Sequence, residues 1–326
     1  MKHDNDTIVR DICIATGAVT AACIASLATT AKYLFHFCID TQWKRSVFHQ
    51  SLIAPERIEK LQQGEAQEAG EWFAQAKQPV TITSDDGLRL HGWLFDPDCT
   101  APKPHLYAIC MHGYTGVPEE TAKWAHRYAR MGFTVLVPSQ RAQDLSEGRY
   151  VGMGWLDRED ILRWIDFILA EDPQAEIVVH GISMGAATTM MTAGEDTPEN
   201  VKVFIEDCGY TSVWDVFSSE LQLRFGLPEF PILYTASGVA KLRAGYTFGE
   251  ASALRQVENC EKPMLFIHGT ADDFIPYEMM DELYNAKPGD NKAELTADGA
   301  GHGEAMYALG DTYWDTVFDF IEPYMN

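Results

Sequence analysis

The sequence predicts an α/β fold in which helices lie on both faces of a mostly parallel, eight-stranded sheet. Eight short runs follow one another from residue 79 onward, and most are rich in Val, Ile, Leu and Phe. Runs of this composition are typical of strands that are buried on both faces. Amphipathic segments separate most of them, and this alternation favours helices that cross over between parallel strands.

The first two runs flank Asp85, Asp86 and Gly87, a favourable turn, and we expect them to form an antiparallel hairpin at one edge of the sheet. The eight predicted strands are PVTITS, LRLHGWLF, HLYAICMHG, FTVLVPS, EIVVHGIS, VKVFIED, PMLFIHG and KAELTAD. The helices predicted between them cover residues 118–130, 156–170, 185–194, 277–286 and 310–321.

A long stretch, at about 209–262, separates the sixth and seventh predicted strands and exceeds an ordinary connection. It holds two helix-like segments, about 211–225 and 232–244, on either side of a Pro-rich turn. We expect a small helical cap, inserted after the sixth strand and lying over the carboxyl ends of the strands, where open α/β sheets bind ligands. Its apolar side chains either line a substrate site or pack the cap onto the body: Trp214, Phe217, Leu221, Phe225 and Phe230.

Residues 1–40 precede this pattern and include twenty uncharged residues, 12–31. Because that length suffices for a helix to cross a bilayer, we predict a membrane anchor and a membrane-associated protein, with a cytoplasmic protein as the alternative. A signal segment or an Ala-rich helix packed on the domain would also fit this composition. Residues 41–78 are predicted to form a polar, helical lead-in to the main domain at 79–326.

The composition argues against nucleic-acid binding, disulfide bonds and a metal site. The net charge is −23, from 25 basic and 48 acidic residues, and such an acidic field repels nucleic acid. The seven cysteines include no C-x-x-C pair, and the ten histidines include no H-x-x-x-H pair. We therefore predict neither a nucleic-acid partner, nor a disulfide framework, nor a metal site.

A candidate nucleophile lies between the predicted strand EIVVH and a predicted helix, in Gly181-Ile182-Ser183-Met184-Gly185. The pattern G-x-S-x-G holds a serine at a sharp strand-to-helix turn, where glycines remove side chains that would clash. The free N–H groups at the helix N-terminus then face a developing oxyanion. We predict that Ser183 is the nucleophile; the alternative is a structural turn whose serine only caps the helix.

A serine hydroxyl needs a base before it can attack. We predict that His302 is this base, because it follows the serine along the chain and lies in a Gly-rich loop after the last strand. Three other histidines each precede a glycine at the end of a predicted strand, where we expect packed structural side chains: His112, His180 and His268.

The base needs an acid that orients it. Asp272, after the seventh predicted strand, is the expected acid. Its neighbour Asp273 is expected to cap the loop or the following helix. Asp207, at the end of VKVFIED, is the second candidate for the acid, because that strand end can also offer a carboxylate to the same edge.

An oxyanion hole needs two backbone N–H groups. We expect one from Met184, directly after the nucleophile, and the other from Tyr114 in the loop that follows MHG.

Four motifs together resemble the α/β-hydrolase superfamily, which has an HG turn after the third strand, G-x-S-x-G after the fifth, H-G-x-x-D after the seventh and G-H near the end. They occur here as His112-Gly113, Gly181 to Gly185, His268 to Asp272, and Gly301-His302. The resemblance covers about 79–326. It is greatest to bacterial hydrolases with an N-terminal signal anchor, related to prolyl-oligopeptidase-type and cinnamoyl or feruloyl esterase-like members, and Arg141 to Asp160 supports that subgroup.

The resemblance implies an α/β-hydrolase fold and hydrolysis of a small carboxylic ester through an acyl-enzyme, without a cofactor. Three alternatives stay open: a serine peptidase, a perhydrolase or haloperoxidase-like enzyme, and a non-catalytic binding protein on the same scaffold. Many relatives carry D-x-R-G-H-G after the fourth strand, where this chain reads Ser139 to Asp144 and keeps only the arginine. We therefore expect a reshaped loop near the floor of the active site.

Overall fold

The protein is described by a computed structural model that covers residues 26–50 and 64–325. Its strands form one eight-stranded sheet in the order β1-β2-β4-β3-β5-β6-β7-β8. The β1–β2 and β2–β4 pairs are antiparallel, and every later pair is parallel. The strands are β1 Gln78–Thr83, β2 Arg89–Phe95, β3 Leu106–Met111, β4 Thr134–Pro138, β5 Glu176–Ile182, β6 Val201–Asp207, β7 Met264–Gly269 and β8 Lys292–Ala297.

Helices cover both faces of the sheet and enclose two apolar layers of core. The layer on one face includes Trp164 and Met190, and that on the other includes Tyr128 and Trp314. The helices are α1 at 26–39, α2 Gly64–Ala76, α3 Ala122–Arg130, α4 Asp157–Glu171, α5 Met184–Ala193, α6 Val213–Phe225, α7 Ile232–Ala244, α8 Ala253–Val257, α9 Glu278–Ala286, α10 Ala305–Leu309 and α11 Asp311–Ile321.

The predicted α/β-hydrolase fold is confirmed, including all eight strands and the antiparallel edge hairpin. In that hairpin Thr83 pairs with Arg89 across the turn, and Gly87 takes a φ of +87°, which favours glycine. The five predicted helices correspond to α3, α4, α5, α9 and α11. The short helices α8 and α10 were not predicted, since five residues are too few to establish a helical period.

The cap follows β6 and consists of α6, α7 and α8. Helix α6 begins where the Ser212 hydroxyl accepts a hydrogen bond from the backbone N–H of Asp215, and it ends at Gly226 with a φ of +61°. Buried tyrosines fasten the cap region to the body, because the hydroxyls of Tyr210 and Tyr246 donate to the backbone oxygens of Met153 and Val151. The cap is therefore a packed part of the fold.

Helix α1 packs against the body through Ala31, Phe35 and Ile39, whose side chains are fully buried. Its C-terminal end is clamped by Asp40, which accepts hydrogen bonds from the guanidinium of Arg149 at 2.9 and 3.1 Å. The last carbonyls of a helix lack intrahelical partners, and that of Ile39 instead accepts from the N–H of Val151.

Of the predicted membrane anchor at 12–31, residues 12–25 lie outside the described part of the chain. Its last six residues belong to α1. Among the described residues, no helix combines the length and the apolar character that a membrane span needs. Attachment to a membrane through the preceding residues stays a prediction.

The predicted lead-in at 41–78 contains α2, while its residues 51–63 lie outside the described part of the chain. Helix α2 buries Phe73 completely, and its Trp72 ring stacks on His126 of α3 with 4.7 Å between centroids. Helix α2 therefore packs on the same face of the sheet as α3.

Candidate active site

Ser183 lies at the sharp turn between β5 and α5, with a φ of +59° and a ψ of −118°. The adjacent glycines make this turn possible. A Cβ at Gly181 would lie 2.0 Å from the Gly185 oxygen, and one at Gly185 would lie 2.4 Å from the Met111 oxygen. Larger residues could not occupy either position unless the backbone moved. The strained φ of Ser183 directs its side chain away from the strand and toward the loop that carries His302.

The structure brings Ser183, His302 and Asp272 into one hydrogen-bonded line. Nε2 of His302 lies 2.8 Å from the Ser183 hydroxyl oxygen, and Nδ1 lies 2.7 Å from Oδ2 of Asp272. With its proton on Nδ1, the imidazole donates to the carboxylate and accepts from the hydroxyl. The arrangement can draw a proton from the serine and hold the resulting imidazolium.

Asp272 is fixed from several sides. Its Oδ1 accepts hydrogen bonds from the backbone N–H groups of Phe274 and Ile275 at 2.9 and 2.8 Å. Nε2 of His268 lies 3.3 Å from Oδ2 and 3.0 Å from the Ile275 oxygen. Burial acts to raise the pKa of Asp272, but hydrogen bonds from His268 and His302 outweigh it and hold that pKa well below its usual range. The carboxylate is therefore charged throughout the physiological pH range.

The two other candidate acids occupy different environments. Asp207 is fully buried, and its Oδ2 accepts a hydrogen bond from the Tyr313 hydroxyl at 2.8 Å. Burial raises its pKa to about 6. Asp273 is exposed, and the capping of the loop that we expected from it is provided by Asp272. Of the three, only Asp272 contacts His302.

The two candidate oxyanion donors lie on either side of Ser183. Met184 opens α5, and Tyr114 follows Gly113, where an added Cβ would lie 3.2 Å from the Ser183 Cβ. In the described part of the chain, neither Met184 nor Tyr114 donates its backbone N–H to a backbone carbonyl. Both groups are thus available to a substrate oxygen.

The loop after β4 supports this edge of the site. The side-chain amide of Gln140 donates to the His112 backbone oxygen at 2.5 Å, and its carbonyl accepts from the Thr188 hydroxyl at 2.9 Å. The backbone N–H of Gln140 lies 3.2 Å from Nε2 of His112. Burial lowers the pKa of His112 to about 4, so its ring is neutral. Gln140 therefore braces the strand end that precedes Tyr114 against α5.

Arg141, the one residue retained from the family's usual motif, is a structural anchor. Its guanidinium donates two hydrogen bonds to the Asp160 carboxylate at 2.6 and 2.7 Å and a third to Asp86 at 2.9 Å. This pairing ties the reshaped loop to α4 and to the hairpin turn. Arg141 therefore fixes the position of the loop, because one acidic partner lies on helix α4 and the other in the turn between β1 and β2.

The contact of His268 with the catalytic carboxylate was not predicted from the sequence. This histidine carries the same strand-end H-G signal as His112 and His180, yet it alone contacts the Asp272 carboxylate. His180 instead lies between the hydroxyls of Tyr128 and Tyr313, at 3.1 Å from each. No local signal separates the three histidines, because the difference arises from the elements packed against them.

Cys208 is a further neighbour that the sequence did not indicate. Its sulfur, an Asp272 oxygen and a His302 nitrogen lie within 4.8 Å of one another, and its φ is +55°. Burial raises the pKa of the thiol well above its usual value. Cys208 is therefore a neutral thiol, which favours neither metal ligation nor nucleophilic attack.

A model of the prolyl oligopeptidase family matches residues 122–326, a range that contains Ser183, Asp272 and His302. The chain belongs to this family. It is a serine hydrolase of the α/β-hydrolase superfamily, as the sequence motifs predicted. The chain is also 30% identical over 247 residues to the uncharacterized protein YqkD of Bacillus subtilis, an alignment that covers 76% of this chain and 79% of that protein.

Solved structures of two kinds are similar to the protein. The Pyrococcus furiosus esterase Pf2001 superposes with a TM-score of 0.58 at 22% identity, over 77% of this chain and 93% of that one. The Pyrococcus horikoshii acylaminoacyl peptidase superposes with a TM-score of 0.56 at 20% identity, over 78% of this chain and 43% of that one. At these identities the superpositions establish the shared fold.

Proposed function

We propose that the protein hydrolyses carboxylic esters through an acyl-enzyme formed on Ser183. The observation that carries this proposal is the line of two hydrogen bonds, 2.7 and 2.8 Å long, from Asp272 through His302 to the Ser183 hydroxyl. It supplies a nucleophile, a base and an orienting charge at the edge of the sheet where related folds bind ligands.

The proposed reaction has two steps. Ser183 Oγ attacks the ester carbonyl carbon while Nε2 of His302 takes the hydroxyl proton. The backbone N–H groups of Met184 and Tyr114 stabilise the oxyanion. The bond to the alcohol oxygen then breaks, and His302 returns the proton to that oxygen. In the second step His302 takes a proton from water, whose oxygen attacks the acyl carbon. The bond from that carbon to Ser183 Oγ then breaks, and His302 returns the proton to the serine oxygen as the acid leaves.

An ester is favoured over a peptide by the cavity beside the site. This cavity lies between α1 and the cap, and most of its lining side chains are apolar. It offers few polar groups that could pair with the N–H and C=O groups of a peptide, and unpaired peptide groups are costly to bury. The acyl part of an ester has no such requirement.

The test compares the full-length chain with Ser183→Ala on p-nitrophenyl acetate and butyrate. We expect kcat/KM to fall by several orders of magnitude in this variant. The matched control is Ser219→Ala on α6, which lies outside the proposed machinery and should keep the parental rate. A folded parent without ester activity, or equal rates in all three proteins, would refute the proposal.

Peptide hydrolysis is the second candidate, and the family itself favours it, since the matching model is named for an oligopeptidase. Assays of the same proteins on aminoacyl and N-acyl-aminoacyl p-nitroanilides distinguish the two. Ser183-dependent cleavage of the anilides with a higher kcat/KM than that of the esters would make the peptidase the primary activity.

A further inference from the structure

We propose that the active site accepts an aliphatic acyl chain in an apolar cavity that helix α1 and the cap build together. The inference rests on the proposed ester hydrolysis and names the acyl class of its substrate. The cavity has a volume of about 370 Å³. Protein interiors are close-packed, whereas ligand pockets reach this size, so the space is unlike an ordinary packing defect.

Three helices supply most of the walls of this cavity. Helix α1 contributes Leu34 and Phe35, α6 contributes Phe217 and Leu221, and α7 contributes Leu233 and Ala236. Two of the five cap residues singled out from the sequence do not line it: Trp214 packs against Tyr234, and Phe230 is exposed. The wall from α1 was not predicted, because the sequence analysis assigned residues 1–40 to a hydrophobic segment and favoured a membrane anchor there.

Two residues of the cavity lining, Tyr114 and Phe274, lie next to the catalytic residues. Tyr114 directly follows Gly113, which approaches Ser183 closely. The ring of Phe274 lies 5.1 Å from the ring of His302. In this proposal, an acyl group whose carbonyl carbon is bonded to Ser183 extends past Tyr114 and Phe274 into the cavity.

The charges in the lining favour an uncharged chain. Only Glu220 and Arg224 among the lining residues are charged, and their side chains pair with each other one helical turn apart. Arg224 is exposed, so this pair lies where the cavity meets solvent. The hydroxyl of Tyr114 donates to the Cys38 backbone oxygen. Apart from this pair, Gln50, Cys38 and Tyr114, the lining consists of Leu, Ile, Val, Phe and Ala side chains, which recognise a hydrocarbon.

The first test measures kcat/KM of the full-length chain for p-nitrophenyl acetate, butyrate, octanoate and dodecanoate. Each methylene that enters an apolar cavity should raise kcat/KM by about fourfold until the cavity is full. A rise of this kind supports the inference. If esters are cleaved but acetate is the preferred substrate, the acyl cavity is refuted while ester hydrolysis stands. If no ester is cleaved, both proposals fail.

The second test fills the cavity from α1. Leu34→Trp introduces bulk into the lining, while Tyr33→Trp, one residue earlier, changes a half-exposed side chain outside it. We expect the octanoate-to-acetate ratio of kcat/KM to fall about tenfold or more in Leu34→Trp, the equivalent of two or more excluded methylenes, and to stay at the parental value in Tyr33→Trp.

A second pair of variants, on the cap, keeps the test decisive if Leu34→Trp fails to fold. Ala236→Phe fills the cavity from α7, and Ala244→Phe makes the same change on the same helix outside the lining. Circular dichroism and the thermal midpoint establish that each variant is folded. An octanoate-to-acetate ratio that stays parental in both folded Leu34→Trp and folded Ala236→Phe would overturn the inference.

Discussion

The hydroxyl of Tyr114 donates a hydrogen bond to the backbone oxygen of Cys38, so a loop of the candidate active site is tied directly to helix α1. Cys38 lies in the last turn of α1, where carbonyl groups lack intrahelical partners. This one hydrogen bond therefore has two effects. It gives a carbonyl at the end of the helix a donor, and it holds the residue whose N–H we propose for the oxyanion hole. The position of α1 and the geometry of the site are coupled through it.

Tyr114→Phe removes this bond and keeps the ring. We expect the free energy of unfolding to fall by about 1 kcal/mol, since the partly buried Cys38 carbonyl loses its partner. The backbone N–H is unchanged, so kcat for p-nitrophenyl acetate should fall far less than in Ser183→Ala. Denaturant unfolding and steady-state kinetics measure the two effects. A loss of rate as great as that in Ser183→Ala would mean that the hydroxyl itself takes part in the chemistry.

Asp272→Asn should lower kcat by about 10⁴-fold, because an amide favours the wrong imidazole tautomer and cannot stabilise the imidazolium. The adjacent Asp273→Asn is the matched control, since its exposed side chain does not contact His302. It should keep the parental rate within a few-fold. If the loss instead appeared in Asp207→Asn, the acid would be the one at the end of β6.

Thiol reagents should leave the enzyme active. Cys208 lies beside Asp272 and His302, but it is only 1% exposed, and burial raises its pKa well above the usual value. Burial likewise raises the pKa of Cys38 to about 12. Iodoacetamide reacts with thiolates and should therefore spare activity, whereas a fluorophosphonate should abolish it by labelling Ser183. Inactivation by iodoacetamide that Cys208→Ser prevents would contradict this assignment.

Much of the fold and the site could be predicted because the relevant signals are local. The inner strands β3 to β7 are buried on both faces, so each appears in the sequence as an apolar run. Ser183 was recognisable because its turn requires Gly181 and Gly185 in contact with backbone atoms. These requirements act within a few residues of the chain, and sequence patterns record them directly.

The remainder depends on contacts between distant segments. Phe35 and Ile39 would be apolar whether they faced lipid or protein, so the sequence allowed both a membrane anchor and a helix packed on the domain and did not decide between them. His180 and His268 share one local pattern, and only the packed fold brings the second to Asp272. The acyl cavity could not be predicted for the same reason, since most of its lining comes from three separate helices and the rest from the loops between elements.

The stability that the Asp40–Arg149 pair, the clamp at the end of α1, gives to the protein should depend on pH. The largest effect on Asp40 is burial, which raises its pKa, but hydrogen bonds from Arg149 and His36 outweigh it and lower the pKa below its usual value. A lowered carboxyl pKa contributes stability above the usual aspartate range and loses it as the pH falls through the folded-state pKa. The thermal midpoint of Asp40→Asn should thus lie below that of the parent at pH 7, and the gap should narrow toward pH 3.

The control for this prediction is Asp319→Asn, which changes an exposed aspartate on α11. Its thermal midpoint should follow that of the parent across the same pH range. A gap between Asp40→Asn and the parent that stays constant from pH 7 to pH 3 would show that the carboxylate charge does not stabilise the clamp.

Glu206 should give the opposite pH dependence. It is fully buried at the end of β6, and burial raises its pKa to about 7, although its Oε2 accepts a hydrogen bond from the Gly209 N–H at 2.9 Å. A raised carboxyl pKa contributes stability that is complete below the usual glutamate range and is lost as the pH rises through about 7. The contribution of Glu206 to the stability of the parent should therefore be lost between about pH 4.5 and pH 7.

Glu206→Gln keeps the shape of the side chain and removes its titration. Relative to the parent, its free energy of unfolding should rise with pH, by a few kcal/mol in all, since one pKa unit corresponds to about 1.4 kcal/mol. Urea unfolding of both proteins at several pH values measures how this difference in free energy changes with pH. A destabilisation by the amide that is the same at every pH does not alter that change. The exposed Glu282→Gln serves as the control and should show no such slope. Parallel curves for Glu206→Gln and the parent would mean that the buried carboxyl ionises as readily in the folded protein as in the unfolded chain.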